Sequence, residues 1–312
     1  MDNQITVREL TAPKDTELFW QSLHSYFQRD IFPNGGEELD YFLGGEYRAA
    51  ITRLRGRETD QAYCLSFQRS GRGIGFALSA LYPSEDGKCF IMEFCVLPEH
   101  RGGGTGRACA RALMDWAREK GAAYFELNAD TDRRRRFWRS VGFQPNGVDE
   151  WGLPLLLLPP EDKISFTTEL LTGLDDPALG WQLQKLENGF LAEIREAPLD
   201  DAKKERLREA VREGKITFFL AKRGYRAVGM CSVSRCFSTF ACSDTGVFDD
   251  FFVEPVFRRQ GAARLLAERA QAWCRDQGLA SLTVGCSAGD ADMYRALGFD
   301  INLGTMLACS LD

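Results

Sequence analysis

A glycine-rich stretch in the first half of the sequence has the residue types of an anion-binding loop. Arg101–Gly106, RGGGTG, follows EFCVLPEH and precedes RACARALMDWAREKG, whose apolar spacing predicts a helix. Small residues let a backbone approach a ligand closely and adopt unusual dihedral angles. The first turn of the helix offers free N–H groups and the positive end of the helix dipole. The stretch therefore predicts a cradle for a pyrophosphate, with Arg101 adding positive charge at its entrance.

The same pattern occurs a second time. PVFRRQGAARLLAERAQAWCRDQG (255–278) aligns without gaps with PEHRGGGTGRACARALMDWAREKG (98–121), so that Arg258–Ala263, RRQGAA, takes the place of RGGGTG. Flanking segments also match, EFCVLP with DFFVEP upstream and FWRSVGF with MYRALGF downstream. This duplication is longer than a solenoid repeat and predicts one domain per half, 1–158 and 159–312, divided near the proline-containing turn LLLLPPEDK. We call Arg101–Gly106 the first cradle and Arg258–Ala263 the second cradle.

Two other kinds of phosphate loop fit these stretches poorly. A P-loop ends in Gly-Lys-Ser/Thr, which neither copy contains. The dinucleotide fingerprint Gly-x-Gly-x-x-Gly fails because Cys109 stands at the sixth position counted from Gly104. The spacing therefore argues against an oxidoreductase that binds NAD(P).

Composition restricts the function further. The chain has 312 residues, 44% of them hydrophobic, which suits two folded domains. A formal net charge of −6 argues against a nucleic-acid partner, and only two histidines argue against a histidine-built metal centre. Ten cysteines without a CxxC pair, together with no signal-like N-terminus and no apolar run of membrane-spanning length, predict a cytoplasmic protein without a membrane partner.

Each half has the pattern of a mixed α/β domain. In the first half, three apolar strands lie between residues 62 and 97, and the first two are joined by the hairpin signal RSGRG. Helical patterns cover residues 14–57, with a break at FPNGG, and the segment after the first cradle. The second half repeats the order of a helix, a hairpin, a strand ending in Val-x-Pro, a cradle and a helix.

Both halves resemble GNAT acyltransferases, a superfamily that transfers an acetyl group from acetyl-CoA to an amine. The resemblance rests on Arg-x-x-Gly-x-Gly/Ala after a Val-x-Pro strand and on an aromatic-x-x-x-Gly-Phe element, and it is densest over 93–143 and 250–299. It implies a mixed, mainly antiparallel sheet flanked by helices and opened in the middle for the pantetheine arm. It also implies cofactor contacts at Cys95, Val96, Arg101, Gly102, Gly103, Gly104, Thr105, Gly106 and Asn128, and at Phe252, Val253, Arg258, Arg259, Gln260, Gly261, Ala262 and Ala263. For Asn128, a simple turn-forming role remains open.

The resemblance also implies a proton donor. Many GNAT enzymes use a tyrosine four residues before the glycine of Gly-Phe, which in this sequence is Tyr294 in the second half and Trp138 in the first. A phenol can protonate a departing thiolate, whereas an indole N–H cannot. The comparison favours the second half as the catalyst and leaves the first as a CoA-binding or weaker catalytic domain.

The resemblance also suggests where to look for the proton acceptor, since bases of GNAT enzymes often stand on the strand before the cofactor loop, where alternate residues face the substrate. Four residues before the valine of Val-x-Pro stand Asp249 in the second half and Met92 in the first. We expect Asp249 to accept the amine proton or to anchor a cationic substrate, while a solvated carboxylate remains the alternative. Asp250 and Glu93 occupy the next position, and we interpret them as structural, paired carboxylates.

The sequence thus predicts an acetyl-CoA-dependent N-acetyltransferase that acts on a primary amine of a small molecule or peptide. The alternative is a CoA-binding sensor or regulator that performs no transfer.

Overall fold

The computed structural model describes residues 4–149, 151–160, 165–174 and 176–304. Two compact units form within it: Met1–Pro145 with Pro154–Glu161, and Asn146–Leu153 with Asp162–Asp312. We call them the N-terminal and the C-terminal unit. A short segment from the first half of the sequence, 146–153, therefore groups with the C-terminal unit. The predicted division between residues 158 and 159 stays a prediction.

The first half of the chain folds around a mixed sheet. Its strands are β1 (Ile5–Glu9), β2 (Gln61–Arg69), β3 (Arg72–Tyr82), β4 (Lys88–Val96), β5 (Tyr124–Asn128), β6 (Gln144–Val148) and β7 (Pro154–Leu158), in the order β1-β2-β3-β4-β5-β7-β6. Its helices are α1 (Pro13–Tyr26), α2 (Glu37–Leu43), α3 (Gly45–Arg55), α4 (Thr105–Glu119) and α5 (Asp132–Arg139), with a π-helical turn over Phe27–Ile31. The predicted hairpin at RSGRG is confirmed, since Ser70 and Gly71 both adopt positive φ, as a two-residue turn between twisted strands requires.

Alternating residues place the sheet of the N-terminal unit between two apolar layers. On one face, Leu65 and Phe67 of β2 pack with Leu113 and Met114 of α4. On the other face, Cys64 of β2 belongs to the cluster of aromatic residues from α1. This alternation fixes the register of the strands, because a one-residue slip would exchange the two faces.

The C-terminal unit is built around a second mixed sheet. Its strands are β8 (Thr167–Leu171), β9 (Ile216–Arg223), β10 (Arg226–Ser238), β11 (Ser243–Val253) and β12 (Leu282–Val284), in the order β12-β11-β10-β9-β8. Its helices are α6 (Pro177–Glu193), α7 (Asp201–Arg212), α8 (Ala262–Asp276) and α9 (Ala291–Ala296). The expected fold class, a mixed and mainly antiparallel sheet flanked by helices in each half, is confirmed.

Each sheet opens next to a cradle. In the first sheet, β4 and β5 run parallel and pair only from Lys88 to Phe90, so the later part of β4 separates from β5. In the second sheet, β11 and β12 pair in parallel only from Gly246 to Phe248. Among the described residues, no strand pairs with the later part of the strand that leads into each cradle along this edge, so a ligand can reach its backbone there.

A buried ion group stabilises the strand end before the second cradle. Glu254, only 1% exposed, accepts two hydrogen bonds from Arg226 at 2.9 and 2.8 Å and pairs with Lys185 at 2.7 Å. The charges satisfy one another, as buried ions must. Within the described residues, no helix is both long and apolar enough to cross a membrane.

Candidate active site

The first cradle has the backbone geometry of an anion site. Gly102, Gly103 and Gly104 have φ values of +97°, +55° and +83°, which strain residues with a side chain. Gly104 caps α4 without a side-chain hydrogen bond, and the first turn of α4 contains no acidic residue. The N–H of Thr105 donates to the carbonyl of Gly102 at 3.0 Å, whereas the other N–H groups of the first turn, at the positive dipole end of the helix, have no side-chain cap.

The second cradle repeats this geometry with fewer glycines. Arg259 and Gly261 have φ values of +60° and +102°, and Gly261 caps α8 without a side-chain hydrogen bond. Gln260 donates from Nε2 to the carbonyl of Val256 at 2.9 Å, which closes the loop on itself. Ala262 is buried, while Ala263 lies at the partly exposed start of α8.

Two further residues of the first cradle have identifiable packing roles. A Cβ atom at Gly106 would lie 3.0 Å from the ring of Phe137, so this glycine lets α5 approach α4. Thr105 is buried, and its hydroxyl accepts a hydrogen bond from Arg69 at 3.3 Å. These contacts fix the start of α4 against the sheet.

The arginines that begin the cradles make matching contacts. Arg101 donates from Nε to the carbonyl of Val96 at 2.8 Å, and its two terminal nitrogens bind Asp30 at 3.1 and 2.8 Å. Arg258 donates from Nε to the carbonyl of Val253 at 2.8 Å and pairs with Glu193. Each guanidinium thus ties its cradle to the end of the preceding strand and to a helix of the same unit.

A β-bulge interrupts the strand before each cradle. In β4 the register passes from Glu93 opposite Leu78 to Ile91 opposite Ser79, which leaves Met92 as the extra residue. In β11 two residues, Asp250 and Phe251, face a single residue of β10. Bulges of this kind redirect side chains and backbone groups and are frequent beside active sites.

The residues expected along the pantetheine arm follow the bulges. Cys95 and Val96 end β4, and Phe252 and Val253 end β11. All four are buried. Asn128 ends β5 on the far side of the opening and donates from Nδ2 to the carbonyl of Pro154 at 3.4 Å.

Glu93 is the carboxylate of the bulge in the N-terminal unit. Burial raises the pKa of Glu93 to about 8, although the nearby Arg134 guanidinium favours its ionised form. The phenols of Tyr26 and Tyr47 lie within electrostatic reach of Glu93, and burial together with that carboxylate raises the pKa of both well above 10. Sequence reasoning gave Glu93 a structural role and did not identify Tyr26 and Tyr47, because no pattern in the sequence around the two tyrosines indicates that they lie near β4.

The bulge of the C-terminal unit has two adjacent carboxylates. Asp249 is exposed, and its Oδ1 accepts a hydrogen bond from the backbone N–H of Asp250 at 3.0 Å. Asp250 has a φ of +47° and accepts a hydrogen bond from the Ser232 hydroxyl at 2.6 Å. Burial raises the pKa of Asp250, the Ser232 hydrogen bond opposes that rise, and the Asp249 charge adds to it.

Tyr294 and Trp138, which correspond in sequence, lie in different surroundings. The Tyr294 ring is 6.0 Å from Phe251 and 6.4 Å from Phe248, so it lies beside the bulged strand. Burial, with the Asp290 charge as a smaller cause, raises the pKa of Tyr294 to about 12, so its phenol keeps its proton at neutral pH. Trp138 is only 6% exposed and contributes to the apolar core.

Comparison with known proteins identifies the family of this chain. The model of the acetyltransferase (GNAT) family matches residues 20–143 and, separately, residues 181–299. The chain belongs to the GNAT family. Its two matched stretches make it a tandem GNAT protein, an acyltransferase of the N-acetyltransferase type.

Individual relatives cover one portion of the tandem chain. N-alpha-acetyltransferase RimI of Mycobacterium tuberculosis is 29% identical over 112 residues, which are 36% of this chain and 70% of that protein. The solved structure of glucosamine-6-phosphate N-acetyltransferase from Arabidopsis thaliana is 17% identical, with a TM-score of 0.40, and the match covers 47% of this chain and 99% of that one. An aminoglycoside acetyltransferase from an uncultured soil metagenomic sample, in complex with sisomicin, is 17% identical with a TM-score of 0.42, covering 47% and 97%.

The two cradles fit the cofactor that GNAT proteins use, acetyl-CoA. A Cβ atom built at Gly102, Gly103 or Gly261 meets no protein atom within 4 Å in the described structure, so phosphate oxygens can approach the backbone there. The helix N-termini favour negative charge, and the opened sheets leave unpaired strand edges for the amides of pantetheine. The donor set thus suits a pyrophosphate followed by an amide-containing arm.

Proposed function

We propose that the chain transfers the acetyl group of acetyl-CoA to a primary amine and that the C-terminal half is the catalyst. The observation that carries this proposal is the position of Tyr294 beside the bulge of β11, where the corresponding residue of the first half is the core residue Trp138. Bound acetyl-CoA supplies an activated thioester. The residues of the C-terminal unit bind it, orient the amine and move two protons.

In this proposal, the second cradle and the end of β11 bind acetyl-CoA. The N–H groups at the start of α8, with Gly261 and Arg259 in left-handed geometry, hold the pyrophosphate. Phe252 and Val253 line the arm, and a strand N–H near the bulge polarises the thioester carbonyl.

The carboxylates and the phenol divide the proton transfers between them. Sequence reasoning favoured Asp249 as the proton acceptor and gave Asp250 a structural role. We propose Asp250 as the base instead, because burial raises its pKa and a carboxylate with a raised pKa binds a proton more strongly. Asp249 lies exposed at the rim and passes the proton to solvent. Tyr294, still protonated at neutral pH, donates to the departing thiolate.

The first half is a second candidate transfer site, favoured by Glu93. This carboxylate lies next to the bulge of β4, and its pKa of about 8 suits a general base at slightly alkaline pH. Without a proton donor at the Trp138 position, we expect this site to bind acetyl-CoA and to turn over slowly. A sensor role without transfer would require both halves to be inactive.

Turnover of acetyl-CoA on a panel of amines, read as released thiol, tests the proposal. Tyr294→Phe should lower kcat about 100-fold at unchanged acetyl-CoA affinity, the usual range for loss of a general acid. Tyr225→Phe, which also removes one phenol from the C-terminal unit but lies in the β9–β10 hairpin, is the matched control and should leave kcat unchanged. If Tyr294→Phe is fully active and Glu93→Gln is not, the first half is the catalyst.

A further inference from the structure

The two candidate acceptor sites differ in charge. Alignment of FWRSVGF with MYRALGF places Arg134 of the first half opposite Asp290 of the second. Arg134 favours the ionised form of Glu93, whereas Asp290 disfavours the ionised form of Tyr294. The same helix start is therefore cationic in one half and anionic in the other.

A residue on the first helix of each unit adds to this difference in charge between the two candidate acceptor sites. Tyr26 of α1, a neutral phenol, lies within electrostatic reach of the bulge carboxylate Glu93. In the C-terminal unit, Glu187 of α6 lies within reach of the bulge carboxylates Asp249 and Asp250. Around Glu93 the N-terminal site therefore has two phenols and an arginine, whereas the C-terminal site has three neighbouring carboxyl groups beside the phenol of Tyr294.

Glu187 is the unusual member of this group. Glu187 is only 6% exposed, and in the described part of the chain its Oε1 atom has no hydrogen-bond partner. Burial, then the charges of Asp250 and Asp249, raise its pKa to about 8. A buried carboxylate oxygen without a partner is costly, so native structures rarely keep one without a ligand or ion to satisfy it.

We propose that the acceptor of the C-terminal site carries a second positive charge, as a diamine or polyamine does, and that Glu187 binds its remote ammonium group. The inference rests on the proposed transferase function of this half. The reacting amine lies near Asp249 and Asp250, while the second ammonium donates a hydrogen bond to Oε1 of Glu187. The ammonium group then satisfies the unpartnered oxygen and favours the ionised form of Glu187, which burial and the charges of Asp250 and Asp249 disfavour in the free protein.

The test compares 1,4-diaminobutane with butylamine, which has the same chain and one reacting amine but lacks the second charge. The wild-type kcat/KM should favour the diamine by about 10- to 100-fold, the range of one charge-assisted hydrogen bond. Glu187→Gln, which keeps the shape, should reduce this ratio to near one and leave turnover of butylamine within about threefold. Glu209→Gln, which makes the same substitution at an exposed position on α7, should preserve the ratio.

Three outcomes separate the inference from the proposed function. A wild-type ratio near one, or a ratio unchanged in Glu187→Gln, overturns the inference while amine acetylation stands. If Glu187→Gln fails to fold, the wild-type ratio of kcat/KM for 1,4-diaminobutane to kcat/KM for butylamine decides by itself. If no amine is acetylated, the proposed function fails, and calorimetry with 1,4-diaminobutane then decides: binding that is lost in Glu187→Gln supports the cation site, and equal or absent binding overturns it.

Discussion

The second cradle can be tested by placing a negative charge where the pyrophosphate is proposed to bind. Gly261 caps α8 with a φ of +102°, and a Cβ atom there meets no protein atom within 4 Å in the described structure. The side chain of Gly261→Glu therefore projects into open space at the cradle. Its carboxylate should repel the phosphates without displacing other protein groups.

The expected size follows from Coulomb's law. Two unit charges about 6 Å apart, at an effective dielectric constant of about 20, repel by roughly 3 kcal/mol, which weakens binding about 100-fold. The left-handed backbone adds strain of roughly 1–2 kcal/mol, which lowers the free energy of unfolding.

Gly278→Glu is the matched control, because it shares the strain and the added charge but not the location. Gly278 has a φ of +70° and equally open surroundings, and it follows the opposite end of α8. The 15 residues of α8 separate the two glycines by roughly 22 Å, more than twice the Debye length of about 8 Å at physiological salt. Acetyl-CoA affinity should therefore be unchanged in Gly278→Glu.

Calorimetric titration with acetyl-CoA, together with thermal unfolding of each variant, is the assay. Two cradles predict two acetyl-CoA per wild-type chain, and Gly261→Glu should retain one tight site. Gly104→Glu and Gly121→Glu form the equivalent pair in the first half, where both glycines also have positive φ. A Cβ atom at Gly121 meets no protein atom within 4 Å in the described structure, and one at Gly104 makes only an ordinary contact, at 3.9 Å, with the Arg107 guanidinium. Equal affinity losses in Gly261→Glu and Gly278→Glu, or two full-affinity sites in Gly261→Glu, would refute the assignment of the cradle.

Two further predictions concern buried charge. Glu254→Gln removes the charge of the buried carboxylate that Arg226 and Lys185 bind and should lower the free energy of unfolding by about 3–5 kcal/mol in urea at pH 7. Glu169→Gln, which breaks a more exposed pair with Lys222, should lower it by less than about 1 kcal/mol, and similar losses in the two variants would contradict the role of burial. Because the folded-state pKa of Glu93 is raised from 4.5 to about 8, the folded state loses stability as pH rises from about 4.5 to 8. Glu93→Gln should therefore raise the melting temperature more at pH 8.5 than at pH 5, and an equal effect at both pH values would contradict a raised pKa of Glu93.

Much of this protein could be predicted from the sequence because the deciding interactions are local. A glycine cluster before an amphipathic segment requires left-handed backbone at a helix start, and Gly104 and Gly261 adopt it. Strand alternation and turn residues similarly predicted the hairpin at Ser70 and Gly71. The duplication then predicted both units and their family from residues that stand close together in the chain.

The tertiary structure decided the chemistry of the candidate sites, because burial and charge there depend on residues far apart in sequence. Glu187 is 63 positions from Asp250, and from its sequence alone it has the pattern of an ordinary helix carboxylate. Only the packing of α6 against β11 removes it from water and places it beside two other acids. In the same way Asp30, 71 positions from Arg101, binds the expected phosphate-binding arginine and so fastens the cradle to the π-helical turn over Phe27–Ile31. Local spacing thus determines where a ligand can bind, whereas long-range packing sets the protonation, and hence the charge, that the ligand meets.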